Sequence, residues 1–342
     1  MIKFLDILKE SDDNIFIPRR TKEEKNKKLL FRTYRKIRDY IKNGSQGDLV
    51  LRDSSIEFLP KNLTQVNGNL WLTRCKNLKS LPNNLIVNGS LDLEDCKNIT
   101  SLPSGLKVKD VLYLMNTNIT ELSPDLKVGG TLTLIRTPIE KLPNNLTVNG
   151  DLDLEKCKKI TSLPSGLKVL ENLDLRDTNI TELPPDLEFG ESLILMRTPI
   201  EKLPENLKVD GRLDLDGSKN ITSLPSGLKV KDDLDLRDTN ILELPPDLEF
   251  GGSIHLQRTP IKKLPNNLKV NGELDLSRCK NLQSLPNGLE TMNLYLRDTN
   301  IEKLPSDLKV KWGIVLYRTP LSNLSKDEIR KMIPNFKGEI YP

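Results

Sequence analysis

Six aspartates, Asp92, Asp153, Asp174, Asp214, Asp235 and Asp275, each stand between two leucines, and these Leu-Asp-Leu triplets return at multiples of about 20 residues. Carboxylates repeated in register can gather a cation or a basic partner, because neighbouring copies add their fields. In a parallel sheet they would lie about 4.8 Å apart, where two such charges repel by only about 1 kcal/mol in water. Arginines follow within reach: Arg176, Arg197, Arg237, Arg258, Arg278 and Arg297. The pattern predicts a polar surface that neutralises itself or grips a partner, in preference to a ladder of metal ions.

Other chemistry finds little to work with. The only histidine is His255, and no Ser or Cys nucleophile motif accompanies it. No Gly-rich phosphate loop and no paired histidine spacing occurs, so the expectation is a protein that is not an enzyme and holds no cofactor. Cys75, Cys96, Cys157 and Cys279 fall in one column of the repeat, shared with Thr and Ser. That spacing belongs to the repeat and predicts packed free thiols in a reducing compartment.

The elements that place these residues follow from one period. Apolar-x-apolar triplets begin at Leu49, Leu70, Leu91, Leu112, Leu132, Leu152, Leu173, Leu193, Leu213, Leu234, Ile254, Leu274, Leu294 and Ile314. One short unit cannot bury its own apolar face and must stack on its neighbours. In the unit from Leu152 to Asn172, Leu152 and Leu154 alternate as a strand does, while Cys157, Ile160, Leu163, Leu167 and Val169 complete the inward set. Pro164 interrupts the return path, which is predicted to be extended and not helical. Gly68, Gly89, Gly150, Gly211 and Gly272, two positions before the next strand, mark the turn back into the sheet.

The stretch LENLDLRDTNI, Leu170 to Ile180, resembles the leucine-rich-repeat pattern, with Thr178 in its Asn/Cys place. The short unit and its LPxxLxV segment are similar to the repeats of secreted bacterial effectors and of some tailed-phage proteins. The resemblance implies an α/β repeat solenoid: a curved parallel sheet, a mostly extended convex side and helical caps. LPSGLKV recurs at Leu102, Leu163 and Leu224, which points to duplication of three-unit blocks of 61 residues.

Three regions are expected: a basic helical cap over 1–46, about 14 repeat units over 47–322, and a helix-strand cap over 323–342. Residues 1–46 carry 13 Lys or Arg against 7 Asp or Glu, whereas the whole chain is only +4. In this head Thr21 and Glu24 form a capping box, and Leu30, Tyr34, Ile37 and Ile41 make an apolar stripe. The opposite basic face (Lys27, Lys28, Arg35, Lys36, Arg38 and Lys42) offers an alternative role in nucleic-acid binding. Met1 to Glu10 resembles the peptides that target internal head proteins of tailed phages, which offers another alternative, a virion component. At the other end Ser325 and Glu328 form a second capping box, Ile329, Met332 and Ile333 its apolar side, and Lys337 to Tyr341 a last strand.

No apolar run is long enough to span a membrane, and the N-terminal segment is too charged for a classical signal peptide, so the host cytoplasm or a virion is the expected location. The leading expectation is a protein partner of unknown identity, held on the concave face. The candidate contacts are Trp71, Tyr113, Met115, Asp153, Asp174, Arg176, Met196, Asp214, Asp235, Arg237, Tyr295 and Tyr317. Exposed aromatic and Met side chains are the types that anchor interfaces.

Overall fold

The computed structural model describes residues 22–342, with side chains from residue 27 onward, as two compact units: one ending at Gly130, the other from Thr131 to Pro342. The Met1 to Glu10 segment and the Thr21–Glu24 capping box lie outside these described parts. Each unit is a parallel-strand solenoid of the leucine-rich-repeat kind.

In the first unit helix α1, Lys22–Lys42, precedes four face strands, Leu49–Val50, Leu70–Trp71, Leu91–Asp92 and Leu112–Tyr113, paired in order. Parallel strands pair in register here because every coil repeats the same spacing, so Leu49 faces Leu70 and Val50 faces Trp71. Four return strands, Gln65–Val66, Ile86–Val87, Lys107–Val108 and Lys127–Val128, form a second parallel ladder. The predicted stripe of α1 turns inward: Ile37 is buried at 1% exposure, and Tyr34 donates its hydroxyl to the Phe58 carbonyl at 3.3 Å.

The second unit carries ten face strands, from Leu132–Thr133 to Lys309–Val315, again in order and parallel. The ladder reaches beyond the two-residue strands: Leu152, Leu154 and Lys156 donate their N–H to Asn172, Asp174 and Arg176 carbonyls at 3.0, 2.9 and 3.0 Å. The return side is extended, as predicted, in two three-strand ladders that end at Phe189 and Phe250. A 3-10 turn, Pro320–Asn323, then leads to helix α2, Lys326–Met332, where Ser325 Oγ accepts from the Glu328 N–H at 3.3 Å and Glu328 Oε2 accepts from the Ser325 N–H at 2.8 Å. The final strand, Glu339–Tyr341, pairs with Lys309–Val315.

The core is one narrow column per unit. Leu152, Leu154, Cys157, Ile160 and Leu167 are all 0% exposed, and each such aliphatic side chain contributes about 1.5–3 kcal/mol by leaving water. The small-residue column is tied to turn length. After Cys75, Cys96, Cys157, Ser218 and Cys279 the next buried aliphatic comes three positions on; after the eight threonines from Thr117 to Thr319 it comes two positions on. Threonine hydroxyls bond within their own coil (Thr117 Oγ1 to Leu114 O, 2.7 Å), whereas Cys75 and Ser218 reach the preceding coil (Leu51 O, 3.1 Å; Leu195 O, 2.6 Å).

The turn glycines lie, as expected, in the bend before each face strand, and they serve it by their size. Gly68, Gly89, Gly211 and Gly272 do not adopt left-handed φ. They are small because coils touch there: a Cβ on Gly68 would overlap the Gly47 backbone, and one on Gly251 would overlap the Lys231 carbonyl oxygen. Left-handed backbone recurs four residues after each face Leu, at Arg197, Asp238 and Arg258 for example (φ 53°, 54° and 62°), with glycine in that column at Gly217 alone, and again at Gly105, Gly166, Gly227 and Gly288 in the Leu-Pro-x-Gly-Leu turns.

Candidate binding surface

Every candidate residue lies on or directly after a face strand. In the first unit Trp71, Asp92 and Tyr113 stand in register. Trp71 donates Nε1–H to Asp48 Oδ2 at 3.3 Å, with the Arg52 guanidinium 4.7 Å from its ring centre. Tyr113 and Met115, two coils further on, are half-buried.

In the second unit the column runs Asp153, Asp174, Ile194, Asp214, Asp235, His255, Asp275, Tyr295, Val315 and Tyr341. Three of its five aspartates are buried, not set in water as assumed from their spacing. Asp174, Asp214 and Asp235 are 7%, 4% and 1% exposed. Each carboxylate accepts the backbone N–H two residues on: Glu155 to Asp153 at 2.9 Å, Arg176 to Asp174 at 3.0 Å, Asp216 to Asp214 at 3.0 Å, Arg237 to Asp235 at 3.2 Å. A short acceptor side chain ends the strand by capturing the donor that would continue it. The Leu-Asp-Leu-x motif carried that signal, because Asp favours such local backbone bonds.

Arginines complete the neutralisation. Arg176 Nε donates to Asp174 at 2.8 Å, Arg237 Nε to Asp235 at 2.8 Å, and Arg212 Nη2 reaches Asp214 at 3.0 Å and Asp235 at 2.6 Å. Arg212 lies one position before its strand Leu and was missed by sequence reasoning, which looked only forward along the chain. Burial pushes the Asp153 carboxyl up to about 6, and the Asp174 and Glu155 charges add to the effect. Burial raises Asp214 as well. By contrast the Arg197 and Arg258 guanidiniums hold Asp177 and Asp238 below the usual carboxylate range. Met196 and Tyr295 are half-buried, and Tyr317 is exposed.

His255 stands in register between Asp235 and Asp275, but both carboxylates are engaged elsewhere. Arg212 and Arg237 hold Asp235, while Gln257 Nε2 and the Ser277 N–H donate to Asp275 at 2.6 and 2.8 Å. Among the described residues no group of three His, Cys, Asp or Glu side chains converges as metal ligands would. The four thiols are buried and unpaired with one another. Burial pushes Cys75 and Cys279 up to about 11 and Cys96 to about 12.

The repeated in-register strands, the extended return and the inward Leu columns are together decisive. The fold is that of leucine-rich repeats. No family model and no curated protein matches the chain. Among solved structures it is similar to YopM from Yersinia enterocolitica WA-314, at 20% identity over 84% of this chain and 72% of that one, with a TM-score of 0.34. It is also similar to YopM from Yersinia pestis, described as a leucine-rich effector protein, at 18% identity over 94% and 99% of the two chains, with a TM-score of 0.40.

Proposed function

We propose that this chain is a non-catalytic scaffold that binds a protein partner through the face strands of its solenoid units. One observation supports the reading above the others: the charged columns are fixed by their own backbone and by neighbouring arginines, while aromatic and methionine side chains beside them stay partly open. A surface ordered before the partner arrives loses little side-chain entropy on binding. The contacts we assign are Trp71, Tyr113 and Met115 in the first unit and Met196, Tyr295 and Tyr317 in the second. Asp153, Asp174, Arg176, Asp214, Asp235 and Arg237 form the charged frame on the coils before and after Met196.

Affinity capture from the native host tests this, comparing the full chain with a Met196→Ala/Tyr317→Ala variant and a Trp71→Ala/Tyr113→Ala variant. A specific partner recovered by the parent and lost by at least one variant is expected. Equal recovery by all three overturns the reading. The basic face of α1 is not the site we assign: Lys36 Nζ donates to the Val50 carbonyl at 2.6 Å and Arg38 pairs with Asp39 at 3.1 Å. Retention on DNA that falls steeply with salt would transfer the role to that helix. A mature N-terminus at Ser11 would instead mark a particle component.

A further inference from the structure

Three guanidinium groups close on one carboxylate near the end of the second unit. Arg278 Nε lies 3.6 Å from Asp298 Oδ2, Arg297 Nε 3.3 Å from the same oxygen, and Arg318 Nη1 3.8 Å from Oδ1. None of these contacts is a hydrogen bond. Arg197 and Arg258 provide the contrast: their Nε atoms donate to Asp177 at 3.0 Å and to Asp238 at 2.6 Å, two N–H groups to two oxygens. Among the described residues no other acidic side chain pairs with the three arginines, so the cluster keeps a surplus of two positive charges and its planar donors remain unfilled by protein. Guanidinium forks of this kind are matched by oxyanions taken two bonds at a time.

The surroundings hold the cluster in place and give it an apolar flank. The Tyr317 ring centre lies 5.2 and 5.1 Å from the guanidinium carbons of Arg297 and Arg318, and the residue is 47% exposed. The column of Tyr295, Val315 and Tyr341 runs alongside on the same strands, with Tyr341 55% exposed. Arg278 and Arg318 adopt left-handed backbone (φ 64° and 58°) at the position where Gly217 shows that glycine fits. Arg197 and Arg258 in this column each have an aligned Asp that no other arginine shares, whereas Arg278 and Arg318 share Asp298 with Arg297.

The geometry points to an acidic peptide segment as occupant, its Asp or Glu carboxylates taken by Arg278, Arg297 and Arg318 and its apolar side chains by Tyr317 and Tyr341. Asp298 spaces the arginines and is the charge with which the ligand competes. This rests on the strand face being a protein-binding surface and names the chemistry of the partner segment.

Fluorescence anisotropy of a labelled octaglutamate peptide, titrated with the full-length chain, provides the test, with octaglutamine as control. The acidic peptide binds and the control does not; Arg278→Gln and Arg318→Gln each weaken binding by about tenfold, as loss of one charge-assisted contact does. Arg258→Gln, whose partner is Asp238, leaves it within about twofold, and Asp298→Asn tightens it, since removing the competing charge leaves the arginines free. Circular dichroism of each variant separates lost binding from lost fold. Equal loss in the Arg258→Gln variant, tighter binding of an oligothymidylate than of octaglutamate, or an Asp298→Asn variant that binds more weakly overturns the assignment. If host capture fails while octaglutamate still discriminates these variants, the site stands and the broader protein-binding role falls. A partner captured equally by the parent and by Arg278→Gln/Arg318→Gln leaves that role and removes this one.

Discussion

The column aspartates serve structure before recognition, and substitutions separate the two roles. Asp235 accepts the Arg237 N–H and two guanidiniums while 1% exposed. Asp235→Ala strands those donors and is expected to lower stability by about 1–3 kcal/mol in urea unfolding. Tyr317→Ala, at an exposed ring, should stay within about 0.5 kcal/mol. Burial gives Asp153 a pH dependence of its own. Its carboxyl titrates near 6 in the folded chain and near 4 when unfolded, so the native form holds more protons in between and stability falls as pH rises through that window. Asp153→Asn keeps an oxygen for the Glu155 N–H and removes the charge. Its melting temperature should exceed the parent's at pH 7.5 and equal it at pH 4. Asp177 and Asp238, depressed by their arginines, contribute stability that is present above about pH 4 and lost below it.

At the scale of the coil, backbone contact between neighbours sets which positions tolerate a side chain. Gly251→Ala would push a methyl into the Lys231 carbonyl, and the expected cost is about 1–3 kcal/mol by thermal unfolding. The coil itself was legible from sequence, because the Leu152, Leu154, Ile160 and Leu167 spacing leaves only one set of side chains that can turn inward together. Turn chemistry was less legible. Gly68 is legible as a turn residue, but the reason for glycine is not: its φ is ordinary and the contact that excludes a Cβ comes from a residue 21 positions earlier. The positions of the candidate residues along the face strands were legible, but not the bonds they make. Whether Asp174 faces water or bonds its own backbone depends on where the strand ends, and in this chain it ends after two residues. Arg212 and the three-arginine cluster depend on distances between coils that no single unit encodes.

Over the whole molecule stability is a sum of like increments, since each coil touches only its neighbours. The four thiols report on it. All are 0% exposed and burial holds them protonated, so a disulfide-exchange reagent at pH 8 should label none in the native chain. Labelling should appear with urea, Cys75 and Cys96 together and Cys157 and Cys279 together, if each compact unit opens as one. Fast labelling of any thiol without urea would show that its coil is not packed as described. The pairing of a Cys or Ser with the longer turn, and of a Thr with the shorter, bears on ancestry too. Because the matched pair travels inside one stretch of gene, misaligned recombination between two copies delivers a coil whose turn already suits its core. A coil gained or lost in this way keeps its turn and its core residue matched, so the count of coils can drift while the packing inside each one is inherited whole.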